Sequence, residues 1–146
     1  MSDLPTDAET KIWVAMNRTT RFVQSEINRE LKSAGLPSLT WYDVLWSIER
    51  RGGSLRPFEL EEDVIFEQSN VSYLTKRLAE EGLIKVRGCP EDRRGKVLTI
   101  TEAGRDLRVR MWKIYGPLLH SLLKEIGPAG CRETFIAAAF NIARRP

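Results

Sequence analysis

The sequence is poor in the residues that most chemistry needs. One histidine, His120, and two cysteines, Cys89 and Cys131, are spread over 146 residues. The cysteines are far apart and have no companion histidines, which excludes zinc-ligand spacing and gives no disulfide framework. They read as ordinary thiols, and neither metal nor cofactor is expected. No glycine-rich phosphate loop occurs, and His120 lies among apolar residues of a helical stretch, as a packed or interface residue does and a general base does not. The sequence therefore reads as that of a protein without catalytic activity. Long apolar runs are missing as well: nothing approaches the roughly 18 residues of a bilayer span. Met1-Ser2-Asp3-Leu4-Pro5 has no basic region leading into an apolar stretch. A cytoplasmic protein with no membrane partner is expected. Repeats, low-complexity tracts and linkers are also lacking, so residues 1–146 read as one domain.

What is present is an ordered alternation of helix and turn signals. With 42% apolar and 29% charged residues, the composition is that of a folded chain. Ile12, Met16, Val23, Ile27 and Leu31 recur at helical spacing behind a capping box of Thr6 and Glu9, and Gly35 with Pro37 ends that first helix. A second helix is expected from Thr40, its hydroxyl capping while Asp43 reaches back and Leu39 packs on Val44; Gly52-Gly53 closes it. A short extended piece at 54–56 precedes Pro57, suited to a first helical position, and the acids Glu59 to Asp63 favour the positive end of a short third helix.

The segment Gln68 to Leu83 places Val71, Leu74 and Leu78 on one face, with Gly82 as its stop. Two alternating strand candidates, 84–87 and 96–100, flank a turn-rich, arginine-rich loop. Thr101 then caps a long helix carrying Leu107, Met111, Ile114, Leu118, Leu122 and Ile126, with a kink expected at Gly116-Pro117. After a turn at 127–130, a last helix carries Phe135, Ala138, Ala139 and Ile142. The fold class is mainly α with a small β-hairpin.

Two helices joined by a few residues, the second with small polar and basic side chains outward, suit a helix-turn-helix. Small hydroxyls and amides allow close approach to a major groove, and Lys76 and Arg77 can reach phosphates. Arg87, Arg93, Arg94 and Lys96 lie on or beside the following hairpin, where arginine suits a narrow, electronegative minor groove. From Ser69 to Lys96 there are seven basic and four acidic residues. That excess of +3 equals the net charge of the whole chain, so the positive field is concentrated where such a motif would use it.

Three blocks carry a resemblance. Leu78-Ala79-Glu80-Glu81-Gly82-Leu83-Ile84, Pro90-Glu91-Asp92-Arg93-Arg94-Gly95-Lys96 and Leu98-Thr99-Ile100-Thr101-Glu102-Ala103-Gly104 occur in that order, and in this the sequence resembles the MarR-type winged helix-turn-helix transcriptional regulators over nearly its whole length. The resemblance implies a homodimer built from terminal helices (about 6–34 and 102–145) that holds apart two winged-helix lobes (about 38–101). It implies a ligand-responsive repressor of a pseudo-palindromic double-stranded DNA site, with recognition helices about 34 Å apart. Ser69, Asn70, Ser72, Tyr73 and Lys76 match the family's DNA-contacting positions. Asn70 suits a bidentate contact to adenine, and Ser72 or Tyr73 a phosphate or thymine methyl; capping or simple exposure is the alternative for each. Asp92 would steady the wing through an ion pair, while Arg93 or Arg94 enters the minor groove. A winged helix used only for protein contacts is the rival function, disfavoured by the basic wing.

Trp13, Trp41, Trp46, Trp112 and Tyr115 fall on helices that, in this family, meet between dimerisation region and lobe. They could line a pocket for a small aromatic or phenolic effector, or simply fill the core. Some members sense oxidants through a cysteine near the start of the first helix; this chain has none there, and Cys89 lies in the wing.

Overall fold

The computed structural model describes residues 3–88 and 95–144. Its elements run α1 (Asp7–Ser33), α2 (Leu39–Arg50), β1 (Ser54–Leu55), α3 (Pro57–Asp63), α4 (Val71–Glu80), β2 (Ile84–Arg87), β3 (Val97–Ile100), α5 (Glu102–Leu123) and α6 (Ala129–Ala143), with a 3-10 turn at Gln68–Asn70. The mainly helical class with a small wing sheet is thus the observed one.

Helix ends follow local chemistry. Thr6 and Glu9 form the expected capping box: the Glu9 N–H donates to Thr6 Oγ1 at 3.2 Å and the Thr6 N–H to Glu9 Oε2 at 2.6 Å. At the end of α4, Gly82 turns left-handed at φ 72°, and the Leu83 N–H returns to the Leu78 carbonyl at 2.9 Å. That closure satisfies a terminal carbonyl and brings two buried leucines together. The start of α2 differs from the sequence reading. Leu39 is already helical, so Thr40 and Asp43 lie inside the helix and do not cap it. The reason is tertiary: Asn28 Oδ1, on α1, accepts the Leu39 N–H at 2.8 Å and satisfies an orphan donor from outside.

Two further differences concern strand and helix extent. β1 pairs antiparallel with β3, Ser54 opposite Thr99, giving a three-stranded sheet in the order β1-β3-β2 where only a hairpin was expected. A two-residue strand is too short to show an alternation. α5 passes through Pro117 and ends at Leu123, so Ile126 lies beyond it. Thr101 does cap α5, accepting from the Gly104 N–H at 3.1 Å, and its hydroxyl also donates to the Gly82 carbonyl at 2.7 Å. One side chain thereby fixes the end of α4 to the start of α5. Gly104 is required there, because a Cβ would stand 2.2 Å from the Leu83 carbonyl oxygen.

The apolar interior has two parts. In the lobe, Leu45 and Ile48 of α2, Leu60 of α3, Val71 and Leu78 of α4 and Leu98 of β3 form one cluster. Ile27 and Leu31 of α1, Leu39 and Tyr42 of α2 and Met111 of α5 form another, and Trp41 and Leu107 pack against both. Many other apolar residues of the terminal helices are not covered. Ile12, Trp13, Val14 and Phe22 of α1 and Phe135, Ile136, Phe140 and Ile142 of α6 are exposed, and α6 buries no residue.

Candidate nucleic-acid interface

The site begins with the two faces of α4. Val71, Leu74 and Leu78 anchor it in the lobe core, so Ser72, Tyr73, Lys76 and Arg77 stand outward, Tyr73 with 68% of its surface exposed. Ser69 and Asn70, read from sequence as part of the recognition helix, instead occupy the 3-10 turn that leads into it. Both are exposed, and Asn70 makes no side-chain capping bond, leaving its amide free of that structural duty. Thr75 is committed within the helix, its hydroxyl donating to the carbonyls of Val71 (2.9 Å) and Ser72 (3.0 Å).

Folding brings Lys96, at the foot of β3, beside this helix. Ser72, Thr75 and Lys76 share a groove of about 540 Å³ with Lys96, Val86, Pro57 and Glu61. Pro57, Glu61 and Val86 carried no signal in the sequence, since α3 and β2 reach the groove only through the sheet and the lobe core. Glu61 and Glu80, also in the lining, balance the two lysines. Arg77, Lys85 and Arg87 lie outside that lining and are exposed. Asp92, Arg93, Arg94 and Cys89 lie outside the described residues.

α3 is held to α2 by charge. Arg51 grips Asp63 through two bonds, Nε to Oδ2 at 2.6 Å and Nη2 to Oδ1 at 2.9 Å, and reaches Glu59 at 3.1 Å. The guanidinium holds the Asp63 carboxyl below its ordinary range. Asp43 behaves oppositely: burial pushes its carboxyl up, against the bond that its Oδ2 accepts from the Ile65 N–H at 2.7 Å. These two aspartates set the position of α3 and of the stretch before α4.

The aromatic residues divide. Trp112 and Tyr115 meet edge to face at 5.2 Å between ring centroids, and both contact Tyr42, at 5.8 Å (stacked) and 5.0 Å (edge) respectively. Burial raises the hydroxyl pKa of Tyr42 and Tyr115. Trp46 joins the group through Arg108, which lies 5.1 Å from its ring centre and pairs with Glu49. Trp41 fills the junction of the two cores. Trp13 stands apart, 64% exposed on a shallow face of α1 with Met16, Asn17 and Thr20. Tyr42, not singled out as a pocket residue from sequence, is the centre of the set; its signal was its spacing of four residues from Trp46. His120 is exposed on α5 and not packed in the core. Among the described residues no cluster of His, Cys, Asp or Glu could hold a metal, and no helix is long and apolar enough to cross a membrane.

A three-stranded wing sheet behind an amphipathic α4, flanked by long terminal helices, defines a winged-helix protein. Residues 34–95 match the model of the MarR family. That segment, which runs from just after α1 to just before β3, is similar to the MarR family. Among solved structures it is similar to AbsC, a MarR family transcriptional regulator from Streptomyces coelicolor (20% identity, 97% of this chain and 96% of that one covered, TM-score 0.81). It is equally similar to Sco3205 from the same organism, solved in complex with DNA (20%, 98% and 95%, TM-score 0.82). BpsR of Bordetella bronchiseptica, whose DNA binding is regulated by 6-hydroxynicotinic acid, follows (19%, 91% and 98%, TM-score 0.76). No curated protein matches the sequence significantly.

Proposed function

We propose that the protein is a ligand-responsive repressor that binds a pseudo-palindromic duplex site as a homodimer in the cytoplasm. The observation that carries this reading is α4: three apolar residues anchor it, and Ser72, Lys76 and Arg77, with Asn70 before them, face outward with side chains that no hydrogen bond among the described residues occupies. Such a helix suits a major groove, with Asn70 for adenine and Lys76, Arg77 and Lys96 for phosphates. Arg93 or Arg94 would enter the minor groove, and Asp92 would pair with the other to steady the wing. The fold shared with a DNA-bound relative supports the same docking.

The dimer reading rests on the apolar residues left bare on α1 and α6; helices 6–34 and 102–145 would form the dimer and 38–101 the DNA-binding lobe. Effector binding falls to Tyr42, Trp112 and Tyr115 with Trp46 and Arg108, where stacked rings and a guanidinium suit a small aromatic acid. The ring acid that regulates BpsR is of this class.

Selection of random duplex DNA by the purified protein, followed by salt titration of the best sequence, tests the reading. A defined inverted repeat is enriched, and its affinity falls steeply with salt. An Arg93→Ala, Arg94→Ala double variant binds it more weakly. No enriched sequence, with the double variant indistinguishable from the parent, would identify a protein-interaction module instead.

A further inference from the structure

The DNA-binding face leaves most of the block Leu98 to Gly104 unused. At its centre, Thr101 stands where β3 has ended and α5 begins, beside the turn that closes α4. It holds two consecutive carbonyls of that turn: its hydroxyl donates to Gly82 at 2.7 Å and its N–H to Leu83 at 3.1 Å. The hydroxyl also accepts from the Gly104 N–H at 3.1 Å. A hydrogen-bond chain thus runs from the first turn of α5, through one side chain, to the end of α4. Apolar packing does not replace it. Val71, Leu74 and Leu78 hold α4 in the core by contacts without a preferred direction, which resist lifting more than turning or sliding. Hydrogen bonds are directional. Among the described residues, no other side-chain hydrogen bond joins α4 or its closing turn to another element. From this join α5 runs 22 residues, about 33 Å at 1.5 Å per residue, and packs through Met111 against α1.

We propose that Thr101 is a positioning residue that sets the half-site spacing the protein accepts. It fixes the direction of α4 relative to α5, so that the terminal helices of a dimer dictate the distance between the two recognition helices. Without the hydroxyl, each lobe still reads its own half-site, but α4 turns on its apolar anchor and the pair no longer requires one spacing. One base pair added or removed between half-sites displaces the second by about 3.4 Å and rotates it by about 35°. A rigid dimer loses the contribution of its second lobe over such a step, whereas a looser one keeps part of it. The consequence for DNA rests on the homodimeric repressor reading; the join between α4 and α5 does not.

The test uses the full chain and three substitutions. Thr101→Val keeps the branched shape and the backbone bond to Leu83 but has no hydroxyl. Thr101→Asp keeps an acceptor that caps the Gly104 N–H and loses the donor to Gly82, which keeps the test decisive if Thr101→Val unravels the first turn of α5. Thr101→Ser keeps both bonds and behaves as the parent. On the selected inverted repeat, Thr101→Val and Thr101→Asp lower affinity about tenfold, whereas on a duplex with a single half-site they stay within about twofold of the parent. Inserting or removing one central base pair costs the parent about tenfold or more and these two variants about twofold. Without DNA, the amide residual dipolar couplings of α4 and α5 in the parent fit one rigid orientation, and in both variants those of α4 shrink relative to those of α5. Equal losses on full and single sites, or an unrelaxed spacing preference, refute the role in spacing. Unchanged α4 couplings refute the join. If the parent selects no inverted repeat, the repressor reading falls and the spacing role with it, while the dipolar couplings still judge the join.

Discussion

The lobe and the terminal helices treat their apolar residues differently. In the lobe, Val71, Leu74 and Leu78 of α4 meet side chains from α2, α3 and the sheet, and all three are buried. In α6, Phe135, Ile136, Phe140 and Ile142 are each more than half exposed. α1 contains both behaviours: Ile27 and Leu31 near its end are buried against Met111, whereas Ile12, Trp13 and Val14 near its start face solvent. The lobe thus completes its core within one chain. The terminal helices leave large apolar side chains uncovered, and exposed apolar surface of this kind is a mark of association.

Three substitutions test that division. The largest effect is expected from Phe140→Asp. In a symmetric dimer it removes two buried rings, a loss of about 3–6 kcal/mol, which shifts sedimentation from dimer to monomer at micromolar concentration while the lobe stays folded. A dimer that persists with Phe140→Asp would place the association surface elsewhere. Leu78→Ala should act on the other side of the comparison. It opens a cavity in a fully buried cluster and lowers unfolding free energy by about 2–5 kcal/mol, measured by denaturant titration of the lobe signal; an effect under about 1 kcal/mol would mean the site collapses without penalty.

The smallest effect concerns the charges that fix α3. Asp63 is depressed in the folded state, so its contribution to stability is present above the ordinary carboxylate pKa and is lost as pH falls through its lowered value. Asp43 has the opposite sign: its raised pKa favours the folded state at low pH, and that advantage is lost as pH rises through the raised value. Asp63→Asn should therefore lower Tm slightly at neutral pH, by less than about 1 kcal/mol for so exposed a partner as Arg51, and flatten the loss of stability on acidification. An unchanged acid profile would show that Arg51 does not depend on Asp63.

The order of elements was legible because each boundary has its own local chemistry. Thr6 with Glu9, Thr101 with Gly104 and the left-handed Gly82 act within a few residues. What the sequence concealed depends on distant partners. Asn28 takes over the cap of α2 from 11 residues away, and β1 becomes a strand only because Thr99 lies opposite Ser54. Site residues followed the same rule. The outward face of α4 could be read from its period, but the groove that unites it with Lys96, Pro57 and Val86 could not. Nor could periodicity distinguish Trp13, which stands alone, from Trp112, which packs in a ring cluster.

By itself the sequence determined the helix faces, the caps of α1 and α5 and the concentration of basic residues between 69 and 96, since these arise from near neighbours in the chain. Tertiary structure decided which apolar faces were satisfied. It closed the lobe around α4 and left α6 bare, because burial depends on whether another surface arrives to cover a face and not on the face alone.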